Sequence, residues 1–463
     1  MTAPGPADAR AVCCAAVRLL ILAAALASTG AARAAAADAP AGPGARPPAV
    51  VLISLDGVRH DYLDRDELPA FARLAREGAR AEALEPVFPS STFPSHVSLA
   101  TCTHPDRHGI VANAFVDRAR GAFDYENDAS WIEAEPLWAA AERQGVRAAT
   151  YFWVGSETPW RGVAAFHRKA PFDADVPEAA KVEQILAWLD LPPAERPRLV
   201  LSWWHGADDA GHRHGPEAEE TRAALRAQDA ELGRLLAGLD ARAAWAHTTL
   251  VVVSDHGMAE ARDVVDPMRV LAEAGLRGRL VNGAAFAHVF LEQPARAAEA
   301  AALLDALEGL DAWAAAALPA RFRYRHPTRT GDVVLLAAPP FRIGGARTLR
   351  DFQFALGRLA GRRQGMHGYD PASVPEMAGI FLAAGRGVPA GARPGRVHAL
   401  DVAPTVARLL GIDPPAGCEG APIPALAAPA AAPAAAPAPA PLPAPSPEPA
   451  PGGEARPEPA PRT

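Results

Sequence analysis

Lysine is almost missing from this chain. Lys169 and Lys181 are the only two among 463 residues, so nearly all of the 46 basic residues are arginine. Acidic residues outnumber them, and the net charge is −7. A mildly acidic chain of this kind is not a default binder of nucleic acid or of anionic membrane. Any anionic small molecule it handled would need positive charge supplied locally, for instance by metal ions. Cysteine is scarce too, at four residues. Cys13 and Cys14 lie in the N-terminal leader, which leaves Cys102 and Cys418 for the body of the protein. Two cysteines exclude a disulfide scaffold, and sequence leaves open whether they pair or stand as separate thiols. Long apolar runs are also lacking, since residues 19–27 are too short for a membrane span.

What is present divides the chain into four parts. Residues 1–37 have the layout of a secretory signal: Arg10 and Arg18, then the short apolar run, then small residues with Ala-Arg-Ala at 32–34. This predicts a secreted or periplasmic protein, with an uncleaved N-terminal anchor as the alternative. Residues 38–47 read as an Ala/Pro/Gly linker. Residues 48–424 are globular in pattern. Residues 425–463 alternate Ala and Pro, which builds no core and predicts a disordered tail.

Within the globular part, short apolar runs alternate with helical patterns. Strands are predicted at 49–55, 147–153, 199–203, 250–254 and 377–384. Helices are predicted at 67–78, 216–241 and 402–410. Continuous apolar strands between helices predict an α/β fold, with a mostly parallel central sheet and helices on both faces. In such sheets the reactive groups collect at the carboxyl ends of the strands.

The acidic and histidine residues fall at those ends. Asp56 follows the first strand in Ser-Leu-Asp-Gly. Asp208 and His212 follow the strand near 203, in HGADDAGHRHGP. Asp255 and His256 follow LVVV in Ser-Asp-His-Gly, and His367 lies in GMHGYDP ahead of the last strand. Three Asp and three His suit a pair of zinc sites, because zinc accepts imidazole nitrogen and carboxylate oxygen. Between the first and second pieces comes FPSSTFPSH, followed by HGIVANAF. Thr92 there is either a helix-start residue or a nucleophile.

This ordered set of motifs resembles the nucleotide pyrophosphatase/phosphodiesterase family of the alkaline phosphatase superfamily, over roughly residues 48–412. The resemblance implies an alkaline-phosphatase-like fold and two zinc ions. Asp208, His212 and His367 would hold one ion, and Asp56, Thr92, Asp255 and His256 the other. Thr92 would be the nucleophile, forming a covalent threonine-phosphate intermediate. Asn113 would hydrogen-bond a non-bridging phosphate oxygen with help from the Phe93 N–H. Phe93 and Phe172 would sandwich a nucleobase or other substrate group, and Trp153 would line the pocket. The chain departs from the family at Ser90-Ser91, Thr101-Cys102, His104 and Trp203-Trp204, none of which is an implied metal ligand. The segment CTHPDR has one residue too many before its proline for a sulfatase-type nucleophile.

Three functions follow as expectations. The first is a zinc phosphodiesterase or nucleotide pyrophosphatase acting on a small molecule. The second is a phosphodiesterase or phosphomonoesterase for a choline-type or lipid head-group substrate. The third is a non-catalytic zinc-binding surface protein.

Overall fold

The structure is a computed structural model that describes residues 46–281, 284–344, 356–357 and 363–426. The leader and nearly all of the linker and the Pro/Ala-rich tail lie outside the described residues. Its centre is a sheet of seven strands: β1 (Ala49–Leu55), β2 (Ala79–Arg80), β3 (Ala148–Tyr151), β4 (His167–Lys169), β5 (Leu199–Trp204), β6 (Thr248–Val253) and β7 (Phe381–Gly385). Their spatial order is β2-β7-β6-β1-β5-β3-β4. The five from β6 to β4 run parallel, while β7 pairs antiparallel with β6, and β2 with β7. The mostly parallel sheet expected from the sequence is therefore present, with an antiparallel edge.

Every residue of β1, β5 and β6 is buried, as it must be in strands covered on both sides. The cover comes from two groups of helices that touch within each group. One holds α1 (Pro69–Glu77), α4 (Glu178–Asp190) and α6 (Glu219–Ala241). The other holds α2 (Thr92–Thr101), α3 (Leu137–Arg143) and α7 (Val402–Leu410). Helix α5 (Gly206–His214) follows β5 directly and packs on α6. Among the described residues no helix is long and apolar enough to cross a membrane.

Most predicted elements recur with shifted ends. The helix expected from 216 begins at Glu219, because Gly215 and Pro216 form a turn whose carbonyl accepts from the Thr221 hydroxyl. The strand expected over 377–384 begins at Phe381, since residues 375–377 form a 3₁₀ turn started by Pro375.

A second, antiparallel sheet had no counterpart in the sequence reading. Its order is Gly278–Val281, Phe286–Leu291, Val333–Ala337, Leu310–Ala314, and the helix Ala297–Asp305 covers it. It builds a separate core around Val289, Leu304 and Leu335. The chain leaves the central sheet after β6 and returns through a small pairing, in which Ala259–Ala261 meets Gln364–Met366 antiparallel. That pairing sets His367 against the segment that follows β6. One disulfide, Cys102–Cys418, joins the end of α2 to the segment after α7.

Candidate active site

Asp56 is the first residue past β1, and its amide still donates to the Trp204 carbonyl, so the strand hydrogen bonding carries it to the carboxyl edge. The next residue must be glycine. Gly57 has φ +69°, and a Cβ there would stand 2.9 Å from Asp208 Oδ1. The bare Gly57 amide instead donates to Asp255 Oδ1 at 3.2 Å. One missing side chain thus brings three aspartates within reach of one another.

Asp208 and His212 sit four residues apart on α5, which places them on one face of the helix. Asp208 Oδ2 lies 3.4 Å from His212 Nε2. His367 Nε2 lies 3.1 Å from His212 Nε2 and 3.8 Å from Asp208 Oδ1. On the other side, His256 Nε2 lies 3.4 Å from Asp56 Oδ1 and 3.2 Å from Asp255 Oδ2. The two clusters meet where the His256 and His367 rings stack, 3.8 Å between centroids. Thr92, the first residue of α2, places its Oγ1 3.4 Å from His256 Nε2. All seven residues expected to gather have gathered.

Two features fit these groups to divalent cations. Each of the three histidines faces a backbone carbonyl with Nδ1: Gly365 at 3.0 Å for His212, Gly257 at 2.9 Å for His256 and Ser90 at 3.1 Å for His367. A ring that donates from Nδ1 presents the Nε2 lone pair, and all three Nε2 atoms point into the cluster. The carboxylates show the matching pattern. Asp56 Oδ2 accepts from the Trp203 indole at 2.9 Å and Asp255 Oδ1 from Gly57. Asp56 Oδ1, Asp208 Oδ1 and Asp255 Oδ2 are buried without a hydrogen bond. Buried carboxylate oxygens of that kind are costly unless a cation is nearby. The crowding has an electrostatic signature: burial pushes the Asp56 carboxyl well above its usual range, and the Asp255 and Asp208 carboxylates push it further. The cavity-facing atoms also fall into two sets able to hold a metal, Asp208–His256–His367 and Asp56–Asp255–His256.

The residues expected to touch substrate are placed less uniformly. Asn113 is buried beside Thr92, and its Oδ1 accepts the Phe93 N–H at 2.8 Å. That amide is therefore engaged with Asn113 rather than standing beside it as a second donor. The Asn113 Nδ2 lies 3.5 Å from the Tyr125 hydroxyl. Phe93 packs edge-on against Tyr125 and Phe123, while half-buried Phe172 stacks on Trp203 at 4.8 Å. Trp153 does not line the pocket as expected. It is wholly buried and packs edge-on against His96, itself buried in α2.

Three contributors were not singled out for the site from sequence. His96 lies one turn after Thr92, with Nδ1 2.9 Å from the Thr92 carbonyl and 3.3 Å from Asp255 Oδ2. The four-residue spacing in Thr-Phe-Pro-Ser-His was the available signal. Trp203 fixes one oxygen of Asp56, and Tyr125, at the exposed rim, adjoins both Asn113 and Phe93. No motif marks either of these.

Buried Asp and His clusters beside a hydroxyl, at the carboxyl edge of a parallel sheet, define a metal-dependent hydrolase. Residues 50–370 match the model of the type I phosphodiesterase/nucleotide pyrophosphatase family, and the chain belongs to that family, within the alkaline phosphatase superfamily. It is similar to an uncharacterized pyrophosphatase/phosphodiesterase of Schizosaccharomyces pombe, at 31% identity over 73% of this chain and 71% of that protein. It is also similar to the human ectonucleotide pyrophosphatase/phosphodiesterase family member 1, at 33% identity over 46% of this chain. The chain spans only 24% of that relative's length. Among solved structures, murine ectonucleotide pyrophosphatase/phosphodiesterase 5 superposes with a TM-score of 0.71 at 25% identity, covering 79% of this chain and 95% of that one. The same mouse protein is also known as an inactive variant in complex with AMP. Hydrolysis of phosphodiester or pyrophosphate bonds is the activity the family supports.

Proposed function

We propose that this protein is an exported two-zinc phosphodiesterase, acting on nucleotide-type diesters or pyrophosphates with Thr92 as nucleophile. The observation that carries the reading is the convergence of six Asp and His side chains from separate segments around the Thr92 hydroxyl. Asp208, His212 and His367 would hold one ion. Asp56, Asp255 and His256, with Thr92 Oγ1, would hold the other. Two such cations would neutralise an anionic diester and would stabilise both the attacking and the leaving oxygen.

The remaining work falls to the chain. Thr92 Oγ1 gives up its proton to solvent and attacks phosphorus as the bond to the leaving oxygen breaks; that oxygen takes a proton from water, and a phosphothreonine ester remains. Water then attacks that phosphorus, the Thr92–phosphorus bond breaks, and the hydroxyl is regenerated. Asn113 Nδ2 donates to a non-bridging oxygen, in a geometry fixed by its own Oδ1 on the Phe93 amide. Thr92 begins a ten-residue helix, so the positive end of that helix faces the phosphate. The Gly57 amide and the Trp203 indole hold Asp255 and Asp56 in place, and His96 adjoins Asp255. Phe93, Tyr125 and the Phe172–Trp203 stack offer the aromatic faces on which a base would rest. The same faces suit a quaternary ammonium through cation–π attraction, which keeps a choline-type substrate as the second reading. The Cys102–Cys418 disulfide supports export, because such bonds persist in oxidising compartments.

Turnover of p-nitrophenyl-TMP, p-nitrophenylphosphorylcholine and p-nitrophenyl phosphate, with and without chelator, tests this. The nucleotide diester should be the best substrate and chelator should abolish its turnover. Preference for the choline diester selects the second reading, and inertness toward all three sinks the catalytic one.

A further inference from the structure

The opposite edge of the central sheet carries a second concentration of charge. β6, β1, β5 and β3 run side by side in one direction, so His247, Arg198 and Arg147, which precede β6, β5 and β3, share the amino edge. A seven-residue strand separates that edge from Asp56 by about 20 Å. A cavity of about 150 Å³ opens there, well above the roughly 10–15 Å³ that admits a water. Its wall includes Arg46, Arg147, Arg196, Arg198, Arg242 and His247, and no carboxylate.

Over much of the surface arginine is paired with acid, as at Arg59, Arg73, Arg222 and Arg323. In this wall only Arg242 is, with Asp190. Among the described residues no carboxylate lies within ion-pair distance of the other four. The Nε atoms of Arg147 and Arg196 are buried without a hydrogen-bond partner.

Part of this charge has a structural explanation. Helices α3, α4, α6 and α7 end at this edge, and Arg198 donates to the Leu410 carbonyl at the end of α7. Each helix end carries about half a negative charge, so four supply about two. The Glu142 carboxylate, which accepts from the Ala148 amide, also faces Arg147. Five arginines less Asp190, Glu142 and those helix ends leave a surplus of about one positive charge. His247 adds none, because burial and the neighbouring Arg46 and Arg196 hold it below its usual range.

We propose that the amino-edge cavity binds a compact oxyanion, of which inorganic phosphate is the simplest. The planar forks of Arg147 and Arg196 would supply its hydrogen bonds, and Arg46 would close the rim.

Calorimetric titration of the metal-loaded protein with inorganic phosphate, at constant ionic strength, tests the proposal. Affinity should fall about tenfold or more in Arg147→Gln/Arg196→Gln, which removes two charge-assisted contacts. It should fall severalfold in Arg46→Glu, whose exposed position leaves folding intact should the double variant fail to fold. Binding should persist in Asp208→Asn, where the catalytic cluster is damaged. Unchanged affinity in the arginine variants, an equal response to sodium chloride, or loss of binding in Asp208→Asn would each overturn the site.

Discussion

The two edges of the central sheet are built from the same strands and carry opposite chemistry. At the carboxyl edge, Asp56, Asp208 and Asp255 crowd buried oxygens that accept no hydrogen bond. At the amino edge, Arg147 and Arg196 bury nitrogens that donate none. Each edge gathers charges of one sign around a common space. The difference lies in geometry. The aspartates are fixed by strand ends, the Gly57 turn and imidazoles whose far nitrogens are anchored on carbonyls. The arginines are longer and reach inward from loops, with only Arg198 anchored on carbonyls at two donors. A parallel sheet has inequivalent ends, and this chain uses one for reaction and leaves the other for binding.

Substitutions should separate the edges, most severely at the carboxyl side. Thr92→Ala should keep fold and metal yet lose more than about 10⁴-fold in diester turnover; a variant within tenfold of the parent would remove Thr92 as nucleophile. Chelation should bring turnover to background, and readdition of zinc should restore it; activity that survives exhaustive chelation would break the cationic reading of the cluster. Trp203→Phe keeps an aromatic ring against Phe172 but deletes the donor to Asp56, and should cost about tenfold in turnover or metal affinity. Metal content measured beside kcat tells which, and no change in either would make Trp203 mere packing. Cys418→Ser should leave turnover nearly intact while lowering stability by about 2–4 kcal/mol, read by denaturant melts. Smallest of all, Arg46→Glu at the amino edge should leave the diester kcat unchanged.

The sequence carried the catalytic edge well, because that edge is made of strand ends. The runs at 49–55 and 199–203 announce buried strands by their apolar composition, and the residue after each run then lies at the carboxyl edge. Helix α7 was legible for the same reason, as its apolar residues recur at helical spacing. Helix α5 was harder, since Gly206, Gly211 and two aspartates give little helical propensity; only the four-residue step from Asp208 to His212 betrays it. In the second sheet the edge strand Gly278–Val281 is short, half-exposed and not strongly alternating. Its central strand Val333–Ala337, in contrast, is a buried VVLLA run that local composition does announce. Trp203 stood out in sequence only as a departure from the family pattern, and its bond to Asp56 depends on a contact across 147 positions that no local pattern encodes. The disulfide was equally illegible, because it joins residues 316 positions apart.

The short pairing of Ala259–Ala261 with Gln364–Met366 separates what the site needs from what the chain does in between. Some hundred residues depart just after His256 and come home just before His367, stitched shut by three residues on each side. The excursion still leans on the catalytic body, for Phe286, Phe322 and Tyr324 pack on Phe88 just ahead of the nucleophile segment. Buried Arg329 bonds Asp117 and the Gly109 carbonyl on either side of Asn113, so trimming the excursion would disturb the anchorage of that residue as well as the seam.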